Sequence, residues 1–487
     1  MAKESKLKIN FTYSLGYQIL AIIIPLITAP YISRVLGAHN VGVFSYTQAC
    51  ANYFFLFAML GVSNYGNRTV AAVRDDKEKL EKTFWEIYAF QFVMGGAVCI
   101  AYLVYCIFIV KQDRIVFYLQ FFYVASGWFS VSWFMFGLER FKLTTIRNIV
   151  VRVGMAVLIF ILVKDQNDLL IYTIIIAGGN LISALVIWPF VLERVAFKRP
   201  TISGIIRHIK PNLILFWPVI AISFYNIMDK LMLGAMSTKT EVGFYTYAEN
   251  IIQIPNTLIL AIDNVMLPRM ANLYAVGQKE KASNLMSSVM MFAMMAAAAM
   301  SFGLAGVGPI FAPWFYGEEF TRCGLFIMLL CPVIIFKGWA GALRTQYIIP
   351  NKRDSVYLVS LTSGAIVNLV INFILIPKIQ GIGAILGTIG AEFTVAFIQF
   401  FMLRNEIPIK KYMLDGIAFL GIGLIMYIVI CLISRINGLS VVTIIATQII
   451  CGAVVYLSLS AIYMVKAIKQ PFLVNEMLKF LHIRKRV

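Results

Sequence analysis

The chain has 487 residues, 60% of them hydrophobic and only 13% charged, with a formal net charge of +19. Soluble domains carry about 25% charged residues, so this composition excludes an ordinary soluble protein. A basic excess can mark a nucleic-acid binder, but its distribution here assigns it to membrane orientation instead.

Apolar runs of about 20 residues, enough to cross a bilayer, recur from end to end. Fourteen are read, at 10–36, 41–66, 83–110, 115–137, 148–163, 168–192, 211–235, 242–267, 285–313, 321–343, 355–377, 380–403, 413–434 and 439–465. The connections between them are too short for a soluble domain. Lys3, Lys6 and Lys8 precede a run that continues past Pro25 and Pro30 with no small-residue cleavage site. That segment therefore reads as the first span, not a signal peptide, and its prolines predict a bend. With fourteen spans, 32 of the 42 Lys and Arg residues fall on one side and 9 on the other. This asymmetry predicts cytoplasmic N and C termini. The seven cysteines lie in or beside apolar runs and read as small buried hydrophobes. The methionines of the ninth run and the Gly383/Gly387 spacing of the twelfth read as helix packing.

A short pattern occurs twice. Leu36-Gly37-Ala38 matches Leu233-Gly234-Ala235, and Val41-Gly42 with Tyr46 matches Val242-Gly243 with Tyr247. The offset stays near 200 residues: 197 at Leu36/Leu233, 201 at Arg68/Arg269 and 202 at Lys77/Lys279. Six spans separate the copies, so both enter the membrane in the same direction. The expected architecture is an all-α polytopic membrane protein of two parallel six-helix lobes, with a path for substrate between the repeats. Its parts are an N-terminal lobe (1–192), a cytoplasmic linker (193–210), a C-terminal lobe (211–403), two further spans (404–466) and a basic amphipathic cytoplasmic tail (467–487). The tail reads as an interfacial helix on anionic lipid.

No phosphate-binding loop and no H-E-x-x-H pattern occurs, and the histidines, 39, 208 and 482, lie outside the mid-membrane parts of the spans. This argues against an ATP motor and a membrane metalloenzyme. Charges in or near spans are costly, so each is a functional candidate: Arg34, Glu86, Arg152, Asp229, Lys230, Glu249, Asp263, Lys337, Arg344 and Glu392. Competing expectations stand beside them. Arg34, Glu86 and Lys230 could snorkel to the interface. Lys337 and Glu392 could form an internal structural pair. Asp263 could be solvated at the cytoplasmic end of its span. Arg68 and Arg269 occupy equivalent cytoplasmic mouths, where ordinary positive-inside anchors would also sit.

Pro30-Tyr31-Ile-Ser-Arg34-Val-Leu-Gly37 with Val41-Gly42-Val-Phe-Ser-Tyr46 resembles the first hairpin of bacterial polysaccharide-repeat flippases of the Wzx type. Asp229-Lys-Leu-Met-Leu-Gly234, Pro268-Arg269 and Leu343-Arg344-Thr-Gln346-Tyr347-Ile-Ile-Pro350 are similar to their later signatures. One departure is Phe136, where such proteins often carry Gln before Gly-Leu-Glu. The resemblance covers essentially the whole chain. It implies a fold shared with multidrug exporters (MATE-like) and a non-enzymatic transporter in the bacterial cytoplasmic membrane. The implied substrate is an undecaprenyl-diphosphate-linked oligosaccharide for capsule, O-antigen or exopolysaccharide, flipped by alternating access without ATP. On this reading Arg34, Lys230, Lys337 and Arg344 are cavity cations, and Arg68 and Arg269 guard the entrance. Asp229, Glu249 and Glu392 carry a coupling H+ or Na+ or balance charge. No catalytic residue, bound metal or further cofactor is expected. Partners are the lipid-linked glycan, membrane lipids and other polysaccharide-assembly membrane proteins, with no nucleic acid. The rivals are a cation-coupled drug exporter on the same fold, with an acidic and aromatic cavity, and a membrane-embedded glycan polymerase or acyltransferase.

Overall fold

The computed structural model describes residues 2–436 and 438–466, and every regular element among them is helical. The tail expected at 467–487 lies outside the described residues. The chain divides into two compact units, Met1–Gly243 and Phe244–Val487.

The first unit holds α1 (Ala2–Met59), α2 (Val62–Val73), α3 (Lys77–Phe108), α4 (Arg114–Phe129), α5 (Ser132–Gly137), α6 (Phe141–Leu162), α7 (Leu169–Leu185), α8 (Trp188–Leu192) and α9 (Ile202–Met236). The bend in α1 lies at Gly37 (φ 75°, ψ 168°) and not at Pro25 or Pro30, which stay in helical backbone. Only glycine adopts that conformation at low cost, so Gly37 separates two apolar legs. The break between α4 and α5 frees carbonyls inside an apolar environment, where each unpaired group is expensive. A buried amide answers them. Gln91 Nε2 donates to the carbonyls of Gly127 (2.8 Å) and Ser130 (2.9 Å), while its Oε1 accepts from Trp133 Nε1 (3.0 Å). Phe84, Trp133, Phe134, Tyr88 and Trp188 pack into one aromatic core around this point. Between α6 and α7, Asp165 and Asp168 form a capping box. The amides of Lys164 and Asp165 donate to Asp168 Oδ2 (2.7 and 3.1 Å).

The glycines of the repeated Val-Gly pattern allow close backbone approach. A Cβ on Gly42 would lie 1.6 Å from the Lys239 carbonyl oxygen, and one on Gly243 would lie 2.3 Å from that of Ala38. Lys239 Nζ donates to the Gly234 carbonyl (2.7 Å) at the end of α9 and sits 3.3 Å from the centre of the Tyr46 ring.

The second unit holds most of α10 (Lys239–Ala275), then α11 (Lys279–Tyr316), α12 (Thr321–Leu330), α13 (Pro332–Leu343), a π-helical turn (Arg344–Ile348), α14 (Asp354–Ile379), α15 (Gly381–Leu403), α16 (Ile409–Ile433) and α17 (Val441–Lys466). The expected packing roles hold. Met290, Met291, Met294 and Met295 of α11 are buried. Gly383 lies against the backbone of Leu375 and Ile376, and Gly387 against Asn372, so α14 and α15 approach closely. Ser301 Oγ donates to the Cys331 carbonyl (2.8 Å) at the α12–α13 break. Five cysteines are buried and two half-buried, and all seven are free thiols.

Among the described residues, eleven helical segments are long and apolar enough to cross a membrane, or twelve if the bent pair Glu318–Leu330 and Pro332–Ile348 is one span. Residues 23–73 count once among them despite the break at Gly37, and α9 is not among them.

Candidate functional site

A polar pocket of the first unit lies where α4, α5, α6 and α7 meet. Its volume is about 220 Å³, and it is lined by Arg147, Asn148, Arg152, Asn180 and four serines, Ser126, Ser130, Ser132 and Ser183, together with Phe55, Tyr123 and smaller apolar groups. None of its lining residues is acidic. Arg147 is fixed by its neighbours. Its Nε and Nη2 donate to Asn148 Oδ1 (3.1 and 2.7 Å), and its Nη1 donates to Ser132 Oγ (3.2 Å) and the Ser183 carbonyl (2.9 Å). Phe55 stacks on Tyr123, whose hydroxyl donates to Asn52 (2.9 Å). Such a pocket offers positive charge and neutral hydrogen-bonding groups, a combination suited to an anion. The charge pattern alone placed 140–152 in a basic connection. The helix starts at Phe141, which carries Arg147 about 9 Å and Arg152 about 16 Å along α6. An Arg-Asn pair just before a long apolar run was the available signal.

A second polar cluster ties α2, α3 and α9 together. Glu86 is fully buried, so it does not snorkel. Its Oε2 accepts from Arg207 Nη2 (2.9 Å) and lies 3.3 Å from His208 Nε2, and Thr201 Oγ1 donates to its Oε1 (3.5 Å). The Tyr65 hydroxyl lies 2.6 Å from His208 Nδ1. Thr201 also caps α9 through the Gly204 amide, and a Cβ on Gly204 would strike Glu86 Oε1 at 1.9 Å. Removing one partner from a buried pair leaves an uncompensated charge. Arg207 is 64% exposed, which weakens its share. Arg207→Ala is therefore expected to cost about 2 kcal/mol, read as a lower thermal midpoint. An unchanged midpoint would show that water already screens the carboxylate.

The structure brings two of the expected site residues together in the second unit. Lys337 Nζ on α13 lies 3.1 Å from Glu392 Oε1 on α15, with the carboxylate 3% exposed. The Arg344 guanidinium opens the π-helical turn, 5.8 Å from the centre of the Tyr357 ring. Glu249 is half-buried on α10. In the first unit Asp229 is buried and the adjacent Lys230 half-buried on α9, while Arg34 and Arg68 are exposed on α1 and α2. Arg269 is exposed on α10. Asp263, a candidate for which solvation was the competing expectation, is 1% exposed.

Comparison with known proteins sets this geometry in context. A family described as "Polysaccharide biosynthesis protein" matches residues 7–274, more than half of the chain. A protein of Escherichia coli (strain K12) named "Putative O-antigen transporter" is 22% identical over 388 residues, covering 79% of this chain and 93% of that protein. One of Shigella dysenteriae with the same name is 23% identical over 389 residues, covering 78% and 95%. Among solved structures, the lipid II flippase MurJ in an inward closed conformation aligns with a TM-score of 0.78 at 14% identity, over 94% of this chain and 100% of that one. An inward-facing multidrug resistance MATE family transporter aligns with a TM-score of 0.54 at 15% identity, over 80% and 99%. At these identities the two structures speak for the fold alone.

Proposed function

The chain belongs to the polysaccharide biosynthesis protein family, and from that premise we propose that this multi-pass membrane protein flips a polyprenyl-diphosphate-linked oligosaccharide across the bacterial cytoplasmic membrane. The observation that carries the reading is the pocket lined by Arg147 and Arg152 with no acidic residue. A diphosphate entering an apolar helix bundle needs fixed cations to offset its desolvation. A cationic drug would need carboxylates there instead. The relatives' name supports the same class of cargo.

The finer reading keeps fourteen spans with both termini cytoplasmic. Lobes at 1–192 and 211–403 alternate access without ATP, with 193–210 as their linker and 404–466 as an added pair. Arg34, Lys230, Lys337 and Arg344 serve as cations for the diphosphate, and Arg68 and Arg269 as its first contacts. Asp229, Glu249 and Glu392 balance charge or carry a coupling H+ or Na+.

The test is reconstitution. Proteoliposomes carrying a labelled lipid-linked oligosaccharide are followed for appearance of the glycan in the opposite leaflet, with and without an ion gradient. Transfer is expected in wild type. Arg152→Ala is expected to slow it about 10- to 100-fold, the worth of one charge-assisted contact. Gradient-driven efflux of a cationic drug with no glycan transfer would move the protein to the rival exporter class. Glycan bond formation in detergent would make it an enzyme.

A further inference from the structure

The buried face of α10 carries a file of polar residues unrelated to the arginine pocket. Glu249, Asn256 and Asp263 are spaced by seven residues, two helical turns, and so share one stripe of the helix. Asn256 is 4% exposed and Asp263 1% exposed. Both carboxylate oxygens of Asp263 and both polar atoms of the Asn256 amide lack a hydrogen-bond partner among the described residues. Buried polar groups are nearly always satisfied, and an orphaned carboxylate is among the costliest exceptions.

What faces Asp263 is the π-helical turn. Ile349 N–H reaches back five residues to the Arg344 carbonyl (3.0 Å), so the backbone there leaves α-helical register. Wide turns of this kind recur at functional sites because they redirect side chains and carbonyls. Thr345 and Gln346 lie against the carboxylate, and Arg344 acts on it through space without forming an ion pair among the described residues. The Thr345 donor and one of the two Gln346 amide hydrogens are engaged elsewhere. The Thr345 hydroxyl donates to the Gly341 carbonyl (2.9 Å), and Gln346 Nε2 donates to Thr345 Oγ1 (3.1 Å). Gln346 is fully buried, and its Oε1 is also unpartnered. Four oxygens converge at this place: two from Asp263, the Gln346 amide oxygen and the Thr345 hydroxyl. Gly341 makes room for them, since a Cβ there would lie 2.9 Å from Asp263 Oδ2.

We propose that Asp263, Gln346 and Thr345 form a binding site for one monovalent cation, Na+ or H+, at the inner end of the α10 polar file. One negative charge with neutral oxygens matches a hard monovalent ion. A divalent ion would call for more carboxylates, and no cluster of three or more His, Cys, Asp or Glu exists among the described residues. Any role of this cation in driving transport rests on the flippase reading, whereas its binding does not.

The experiment uses the purified full chain in lipid nanodiscs without substrate. Thermal unfolding is compared in sodium chloride and in equal choline chloride. The protonated carboxylic C=O band is recorded in parallel by infrared difference spectroscopy across pH. A sodium-specific rise of about 5 °C, the scale expected when an ion well above its dissociation constant binds only the folded state, that vanishes in Asp263→Asn assigns Na+ to the site. No sodium effect, with a carboxylic band lost in Asp263→Asn, assigns a proton. Neither signal in wild type, or signals that persist in Asp263→Asn, overturns the site. If Asp263→Asn does not fold, Gly341→Ala decides. It keeps every ligand but crowds Oδ2, so an unaltered signal counts against the site and a weakened one supports it. A normal sodium or proton signal in a protein that transfers no glycan would count against the flippase reading and leave the site standing.

Discussion

Gly42→Ala is expected to remove most of the folded protein. The added Cβ would sit 1.6 Å from the Lys239 carbonyl oxygen and 2.5 Å from its carbon. Those are backbone atoms at the start of α10, so no side-chain rotamer relieves the clash and the helices must separate. Overpacking a tight core costs about 1–3 kcal/mol, and a clash with backbone belongs at or above the top of that range. Gly243→Ala is expected to behave alike, at 2.3 Å from the Ala38 carbonyl oxygen. Fluorescence-detected size exclusion and the thermal midpoint in detergent read the loss. Gly154→Ala and Gly178→Ala are the controls. Nothing lies within 4 Å of either added Cβ, so each is expected to be neutral or to gain up to about 1 kcal/mol from helix propensity. A Gly42→Ala protein with the wild-type midpoint would mean that the two backbones are not in contact in solution.

The repeat that locates these glycines was visible in the sequence, but its register was not. Gly42 approaches Lys239 and Gly243 approaches Ala38, and an offset of 201 residues carries Gly42 onto Gly243 and Ala38 onto Lys239. Leu36-Gly37-Ala38 and Leu233-Gly234-Ala235 match at 197 instead. The four-residue difference is about one helical turn. Its consequence is that matched glycines do different work. Gly37 turns the backbone, whereas Gly234 stays within α9, where its missing Cβ leaves room for the Tyr46 ring.

Helical class was legible because long apolar runs admit no other membrane-compatible reading here. Side-chain partners were harder to foresee, because intramembrane polarity is satisfied across helices far apart in sequence. Glu86 meets Arg207 at a separation of 121 residues, and Gln91 meets Ser130 at 39. Gln91 carries no charge, so a search for intramembrane charges passes over it. Arg147 was hidden for another reason. The same basic residues that report orientation at a helix end also line a pocket once the helix begins earlier than its apolar run. For Asp263 the sequence left burial and solvation both open, because nearness to the end of a span says nothing about which face is covered.

Lys337→Ala tests a pair of expected site residues that the fold joins. The substitution leaves Glu392 with 3% exposure and without the ammonium group 3.1 Å away. Breaking a buried pair from one side typically costs about 3–5 kcal/mol. The reverse change is expected to be milder, about 1–2 kcal/mol for Glu392→Gln, because Lys337 is 26% exposed and its long stem can carry the charge toward water. The double replacement Lys337→Met with Glu392→Leu removes both charges at similar volume, and near-native stability is expected to return. That recovery separates the two roles the pair could play. A structural strut needs only its stability restored, so glycan transfer would recover with the thermal midpoint. A cation that meets a diphosphate cannot be replaced by a thioether, so transfer is expected to stay at least tenfold below wild type in a protein that folds normally. Recovery of both together would remove Lys337 and Glu392 from the substrate path and leave its cationic character to Arg147 and Arg152.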